Sequence, residues 1–318
     1  MRKLWIWVIL LFSVLLLFFF PLLLLKPKDV VQKSEEVAEL CSVDITVTGL
    51  DEPLSLEEYV KGVVSSEMPV SFHEEALKAQ AIAARTYVLR ETDNGKKPIA
   101  PDVSAQVFST EEERKKKWGK EFTRNEKKIS AAVDATAGDI LVYGEELISA
   151  MFFSTSNGKT ETAQNFSGND IPYLQSVESP GEEDVAPSYE ENAEMSLNKW
   201  NEAFGIEWNA DMFKSLQLVR NPTGRVQKVV TAGFEANGRD VRELLGLRST
   251  DFDIAFDVTN NIVHIKTLGY GHGVGMSQYG AEAFAKDGWT AEEIVKHYYT
   301  GTAIKKLTNS DPQCLKTP

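Results

Sequence analysis

Glu67 is the carboxylate whose position best suits acid chemistry. It sits at the C-terminal end of a predicted helix, two residues before Pro69. The negative end of a helix dipole and partial burial beside Met68 and Phe72 both disfavour the ionised form, pushing the group towards the protonated state a general acid needs. Position alone does not single it out among 47 acidic residues. Glu74 and Glu75 are further carboxylates nearby, but both fall in the first turn of the next helix, where an ordinary dipole role accounts for them. The four histidines (His73, His264, His272, His297) are scattered and contain no His-x-x-x-His pair. Cys41 and Cys314 form no Cys-x-x-Cys site, and the sequence does not decide whether they pair. No structural zinc, no zinc amidase chemistry and no other cofactor is therefore expected.

The elements that must position Glu67 follow from capping signals. Ser55 followed by Glu58 predicts a capping box opening a helix through Tyr59 and Val63. Ser71 followed by Glu74 predicts a second, running to about Arg90. On that second helix Leu77, Ala81, Ala84 and Val88 share a face, yet Ile82, Leu89, Ala76, Ala79 and Ala83 cover the other sides, so it is apolar nearly all round and belongs at the centre of a domain. Lys78, Gln80, Arg85 and Tyr87 must then find partners. They are either satisfied structurally, or Gln80 or Arg85 orients a catalytic carboxylate or a substrate hydroxyl. Small hydroxyl residues from Ser154 to Thr160, ending near Asn157-Gly158, predict a strand entering a tight turn. The Gly271–Gly280 stretch brings His272 into a glycine-rich turn before a helix at about Ser277, where it is structural or meets substrate. That stretch lacks the six-residue glycine spacing of a nucleotide fingerprint. The charge-dense run 111–128 reads as a solvated helix and 180–194 as an acidic loop.

Length and charge bound the rest. The 318 residues are 42% hydrophobic, enough to bury a sizeable core. A formal net charge of -13 repels phosphate backbones, so no nucleic-acid partner is expected. Residues 4–25 carry no charge. A helix of that length spans a bilayer core of about 30 Å, and the stretch ends in Leu-Leu-Leu-Leu-Lys-Pro-Lys rather than a small-residue cleavage site, which predicts an uncleaved anchor. Arg2 and Lys3 favour a cytoplasmic N-terminus, although Lys26, Lys28 and Lys33 weaken the charge rule.

Several blocks in order resemble one family. They are Glu58–Pro69 with its Glu-Met-Pro ending, Phe72 with Glu75–Tyr87, Phe153–Glu161 leading to Pro172–Val177, Gly238–Ser249, and Gly271–Gly280 with Tyr298–Gly301. Together, over about residues 54–304, they look like the stage II sporulation protein D family, which shares a domain with amidase enhancers. The resemblance implies a lytic transglycosylase that cuts the bond between N-acetylmuramic acid (MurNAc) and N-acetylglucosamine (GlcNAc) in peptidoglycan glycan strands, leaving 1,6-anhydroMurNAc ends. It implies Glu67 as the catalytic acid, with Ser154, Ser156, Thr160 and Tyr173 lining the groove; Gln80 and Arg85, from the buried helix, and His272, from the glycine-rich turn, join them as candidate substrate-binding residues. It also implies septal wall degradation during engulfment, a substrate stripped of stem peptides, and sporulation proteins P and M as partners. Some members carry a Cys/His zinc cluster shortly after the buried helix, and here Pro101–Phe108 has neither residue. A glycan-binding enhancer of a partner amidase and a water-using muramidase remain as alternatives.

The expected architecture is α+β, a mixed helix and strand catalytic domain built round the Phe72–Arg90 helix. Its groove lies where Glu67 meets the Ser154–Thr160 segment. The predicted boundaries are a cytoplasmic tail (1–3), a transmembrane anchor (4–25), a polar tether with a first strand (26–50), the catalytic domain (51–304) outside the cytoplasm, and a C-terminal tail (305–318).

Overall fold

The computed structural model describes residues 39–311 and residue 314, and a compact unit begins at Leu40. The predicted anchor and most of the tether lie outside the described residues. Among the described residues, no helix is long and apolar enough to cross a membrane.

The unit mixes helices and strands. Strand β1 (Asp44–Ile45) pairs antiparallel with β2 (Leu54–Ser55), which runs directly into α1 (Leu56–Glu67). Three helices follow, α2 (Glu74–Glu91), α3 (Glu111–Trp118) and α4 (Phe122–Ala135), then the strands β3 (Asp139–Tyr143), β4 (Glu146–Leu147) and β5 (Phe152–Phe153). Two short helices, α5 (Ala163–Ser167) and α6 (Glu182–Val185), lead into the 190–268 region. That region holds β6 (Glu190–Ser196), α7 (Leu197–Phe204), α8 (Ala210–Lys214), β7 (Gln217–Arg220), β8 (Val226–Thr231), β9 (Phe234–Asn237), α9 (Gly238–Leu245), β10 (Phe252–Asp257) and β11 (Ile262–Leu268). The chain returns through β12 (Met276–Ser277), α10 (Gln278–Lys286), α11 (Ala291–Tyr298) and β13 (Ala303–Lys306). Strand orders are β13-β3-β4, β10-β11-β6 and β7-β8-β9, all antiparallel, while β12 pairs parallel with β5.

Two cores result. The larger surrounds α2, which packs against α1, α4, α10, α11 and β3. Its alanines, Leu77, Ile82, Val88 and Leu89 are buried on every side, as the all-round apolar pattern requires. The smaller core belongs to the 190–268 region, where Trp200 on α7 and Trp208 pack with Val229 on β8, Val241 on α9, Phe252 on β10 and Val263 on β11. In β11 burial alternates residue by residue, the period of a strand with one face on a core.

Local chemistry differs from expectation at several places. Ser55 caps α1 by accepting the Glu58 N–H at 3.4 Å, but Glu58 turns away to Arg114. The cap of α2 is His73, whose Nδ1 accepts the Glu75 N–H at 3.3 Å, and Ser71 lies in the turn that Phe72 N–H closes onto the Pro69 carbonyl at 3.0 Å. The 111–128 run is not one solvated helix. It breaks at Gly119 into α3 and α4, and Arg114, 1% exposed, is held by Glu58 and Glu126. The compact unit also reaches past both predicted boundaries. Val43, Ile45 and Val47 are buried before residue 51, and Leu307 is buried after residue 304. Cys314 is bonded to Cys41, closing 273 residues of sequence. In the chain-entropy picture a loop that long contributes up to about 5 kcal/mol.

Arg85 shows how the buried helix satisfies its charge. Its guanidinium, 0% exposed, donates to Glu57 through Nε at 3.0 Å and Nη2 at 2.6 Å, and through Nη1 to the Asp139 carbonyl at 3.1 Å. It therefore ties α2 to the first turn of α1 and to β3, and does not face a glycan. Glu57 keeps 31% of its side chain in water and is not stranded, so Arg85→Ala is expected to cost about 1–3 kcal/mol in denaturant unfolding, from the lost charge-assisted hydrogen bonds. An unchanged midpoint would show the tie to be dispensable.

Candidate functional site

Glu67 closes α1 and is half-buried. Its Oε1 accepts the Val107 backbone N–H at 2.8 Å, and its Oε2 accepts the Gln278 amide at 3.4 Å. The same Gln278 Nε2 donates to Gln80 Oε1 at 3.4 Å. Burial pushes the Glu67 carboxyl above the usual 4.5, and the two hydrogen bonds oppose it only in part. No second carboxylate figures among the groups that shift it. The result is a carboxyl that keeps its proton to higher pH while remaining open on one side.

The two donors reach Glu67 for identifiable reasons. In α1, a Cβ at position 62 would come within 2.2 Å of the Phe108 ring and 2.7 Å of the Ser109 carbonyl. Gly62 thus lets residues 106–109 lie directly on the helix, where Tyr59 donates to Gln106 at 3.2 Å and stacks on Phe108 at 5.3 Å. That contact delivers the Val107 N–H. Gln278 opens α10 just after its cap, Ser277. The Ser277 hydroxyl donates to Glu182 Oε2 at 2.7 Å, and the preceding turn passes so near Met151 that a Cβ at Gly275 would stand 2.0 Å from its carbonyl. Two lysines brace the flanks of Glu67, with Lys117 donating to the Ser65 carbonyl at 2.9 Å and Lys128 to the Phe72 carbonyl at 2.6 Å.

The remaining expected site residues separate. Gln80 is linked to Glu67 through Gln278. Ser154 lies against the same helix start, its carbonyl accepting the Tyr279 N–H at 3.0 Å. Ser156 and Thr160 do not line a groove. Ser156 is 0% exposed and donates to Glu182 at 2.6 Å, while the Thr160 hydroxyl, also buried, accepts the Val177 N–H at 2.9 Å. Tyr173 is buried too, its hydroxyl accepting the Ser149 N–H at 3.0 Å. These three, like Arg85, are internal supports, because each polar group in a dry interior is matched by a neighbour. His272 packs between Phe153 and Phe166, with ring centroids 5.6 and 5.5 Å away. It lines a separate cavity with Glu161, Asn165 and Arg242. Nor is the 180–194 stretch simply a solvated loop. Glu182 within it is 0% exposed and accepts from Ser156, Ser179 and Ser277.

Val107, Gln278 and Glu182 escape sequence reasoning. A backbone N–H leaves no trace in residue type, and Gln278 sits inside a motif whose histidine draws attention first. Gly62 in mid-helix is the one usable signal, since a glycine there costs stability unless something packs against it.

Comparison with known proteins agrees with the blocks. A family model described as "Stage II sporulation protein" (SpoIID) matches residues 47–143. Stage II sporulation protein D of Bacillus amyloliquefaciens is 42% identical over 262 residues, 80% of this chain and 75% of the relative. The protein of the same name from Bacillus subtilis (strain 168) is 42% identical over 262 residues, 80% of this chain and 76% of the relative. The amidase enhancer of Bacillus subtilis (strain 168) is 28% identical over 301 residues, 77% of this chain and 40% of the relative.

The raised pKa of Glu67 has a stability consequence. The folded chain holds the Glu67 proton more tightly than the unfolded chain does, so ionised Glu67 disfavours the fold. That cost is absent below 4.5 and grows as the pH rises through the folded value. Glu67→Gln is therefore expected to raise the thermal midpoint at pH 7, with the gain shrinking as the pH falls from the folded value towards 4.5 and gone below it. A gain independent of pH would refute the assignment of the proton.

Proposed function

The chain belongs to the stage II sporulation protein D family, and from that premise we propose that it is a lytic transglycosylase of the cell wall. Its substrate is the glycan of peptidoglycan, and Glu67 is its catalytic residue. The observation that carries this reading is a half-buried glutamate, raised in pKa by burial, with no second carboxylate acting on it. Of the two described carboxylates pushed upward, Glu182 is enclosed at 0% exposure, which leaves Glu67 as the one a substrate can reach.

One carboxyl suffices for this reaction. Protonated Glu67 gives its proton to the oxygen joining MurNAc C1 to GlcNAc, and the C1–O bond breaks. The C6 hydroxyl of the same MurNAc attacks C1, and its proton returns to Glu67. Atoms balance without water, and the acid is restored. A water-using enzyme instead needs a second carboxylate at a set separation. The two nearby alternatives are engaged elsewhere, Glu74 with Lys78 and Glu75 with Lys78 and the Ala291 N–H. Gln278, bonded to both Glu67 and Gln80, would hold the carboxyl in one rotamer through proton transfer.

The setting follows the same reading. The chain would act outside the cytoplasm, anchored by residues 4–25, on septal wall during engulfment. The Cys41–Cys314 bond supports that compartment, since disulfides persist in oxidising surroundings. Sporulation proteins P and M would be its companions. The relative named amidase enhancer supports a second reading, a glycan-binding stimulator of an amidase, in which Glu67 is dispensable.

Mass analysis of glycan products separates these. The full chain, in a detergent without sugar headgroups, is expected to release anhydro-ended fragments from purified glycan. Glu67→Gln should lose at least about a hundredfold in rate while keeping its fold. Reducing ends would mean hydrolysis, and binding without cleavage would mean the stimulator.

A further inference from the structure

Gln80 stands in the middle of α2 and is 0% exposed, yet only half of its amide is matched. Its Oε1 accepts from Gln278 Nε2 at 3.4 Å, while its own Nε2 has no partner among the described residues. A buried donor left unpaired is costly, so the amide is held this way round for what its oxygen does. Turning it over would set one amide nitrogen against the other, donor against donor.

The geometry at Gln278 shows what that oxygen does. A primary amide carries two hydrogens on its nitrogen and none on its oxygen. At Gln278 one hydrogen serves Glu67 Oε2 and the other serves Gln80 Oε1, both at 3.4 Å. An acceptor at residue 80 therefore keeps the nitrogen of Gln278, and not its oxygen, on the Glu67 carboxyl. The choice matters because a donor favours the ionised carboxylate and an acceptor favours the protonated acid. From a place that substrate does not touch, Gln80 decides the sign of the influence that Gln278 exerts.

The titratable groups on the elements around Glu67 are engaged elsewhere. On α1, Tyr59 donates to Gln106. On α2 and its cap, Lys78 pairs with Glu74 and Glu75, and His73 accepts the Glu75 N–H. Lys117 on α3 and Lys128 on α4 donate to backbone carbonyls. On α10, Glu282 accepts the His73 N–H and pairs with Lys286, while Tyr279 packs edge-on against Phe72. What shifts Glu67 is burial, the Val107 N–H and Gln278.

We propose that Gln80 is a positioning residue for the acid step, fixing Gln278 as a hydrogen-bond donor to Glu67. The carboxylate left behind when the proton departs then already holds two N–H groups, from Val107 and Gln278. The proton passes to the glycosidic oxygen, the C1–O bond breaks, and no amide has to turn. The proposal rests on the reading of Glu67 as the proton donor.

The first test reads the proton and not cleavage. In full-length chains in detergent, the thermal gain from Glu67→Gln is followed against pH in the parent, Gln80→Met, Gln278→Met and Gln80→Met/Gln278→Met backgrounds. Methionine keeps the length of the side chain but offers no amide oxygen, and without one Gln278 is free to turn its own oxygen to protonated Glu67. Folded Glu67 then holds its proton to higher pH. Gln80→Met is therefore expected to carry the pH at which the gain levels off upward by about one unit, the scale of one hydrogen bond to an ionised group. Adding Gln80→Met to Gln278→Met should move it no further, because the amide through which residue 80 acts is gone. An unmoved pH in Gln80→Met, or the same movement with and without the Gln278 amide, would overturn the proposal. Gln80→Leu repeats the test on a second apolar side chain if Gln80→Met does not fold.

With glycan as substrate, Gln80→Met is expected to lower kcat about tenfold, leave KM unchanged and move the alkaline limb of the rate profile upward. A raised KM with the limb in place would make Gln80 a substrate contact and overturn its positioning role. Cleavage with the limb unmoved sinks the Gln80 role alone. A moved proton affinity without cleavage supports the Gln80 role and sinks only the transglycosylase.

Discussion

A helix that is apolar on nearly every side has to be enclosed on every side, and α2 imposes that constraint on the whole larger core. Its polar groups then become obligations. Arg85 must be met inside the protein, and the carboxylate that meets it, Glu57, lies in the first turn of α1. Gln80 must be met as well, and the amide that reaches it, Gln278, also reaches Glu67. Enclosing α2 therefore brings the start of α10 to the end of α1. The candidate site is the place where the second of those obligations is met.

Two glutamates show how the same side chain serves different ends. Both are pushed upward by burial. Glu182 accepts from three seryl hydroxyls and one backbone N–H, with nothing left to offer a ligand. It joins the Ser156 segment, Ser179 and the cap of α10, and so fixes where Gln278 begins. Glu67 has two donors, one long, and a half-open face. Burial supplies the raised proton affinity in each case, and the number of donors decides whether the proton can be passed on.

What the sequence made legible was what periodicity and capping encode. The α1 start at Ser55, the central burial of α2 and the α10 start at Ser277 are read directly from residue types, and the Glu-Met-Pro ending marks Glu67. What stayed hidden depends on long-range contact. His73 displaced Ser71 as the cap of α2 because its backbone is also held by Glu282 from α10, 209 residues away, at 2.5 Å. Ser156, Thr160 and Tyr173 looked like groove residues because small hydroxyls and aromatics suit sugars, yet the same groups are equally suited to satisfy a buried carboxylate or backbone N–H. Composition cannot distinguish those uses. Nor could it separate Glu182 from its acidic neighbours, since burial of one carboxylate among many is set by which seryl groups the fold brings to it.

The guanidinium groups complete the logic of α1. Arg85 grips Glu57, and Arg114 grips Glu58, so neighbouring residues of the first turn are fixed by cations from α2 and α3. A helix so held at one end acts as a rigid arm, and at about 1.5 Å per residue Glu67 sits some 15 Å further along. Errors in angle at the start would be magnified at the tip, and two buried guanidinium groups grip half-buried carboxylates at the base while Lys117, on the Ser65 carbonyl, braces the far end. Buried ion pairs contribute little net stability compared with apolar packing, but they specify geometry. In α1 they set where the Glu67 carboxyl stands, at the far end of the helix.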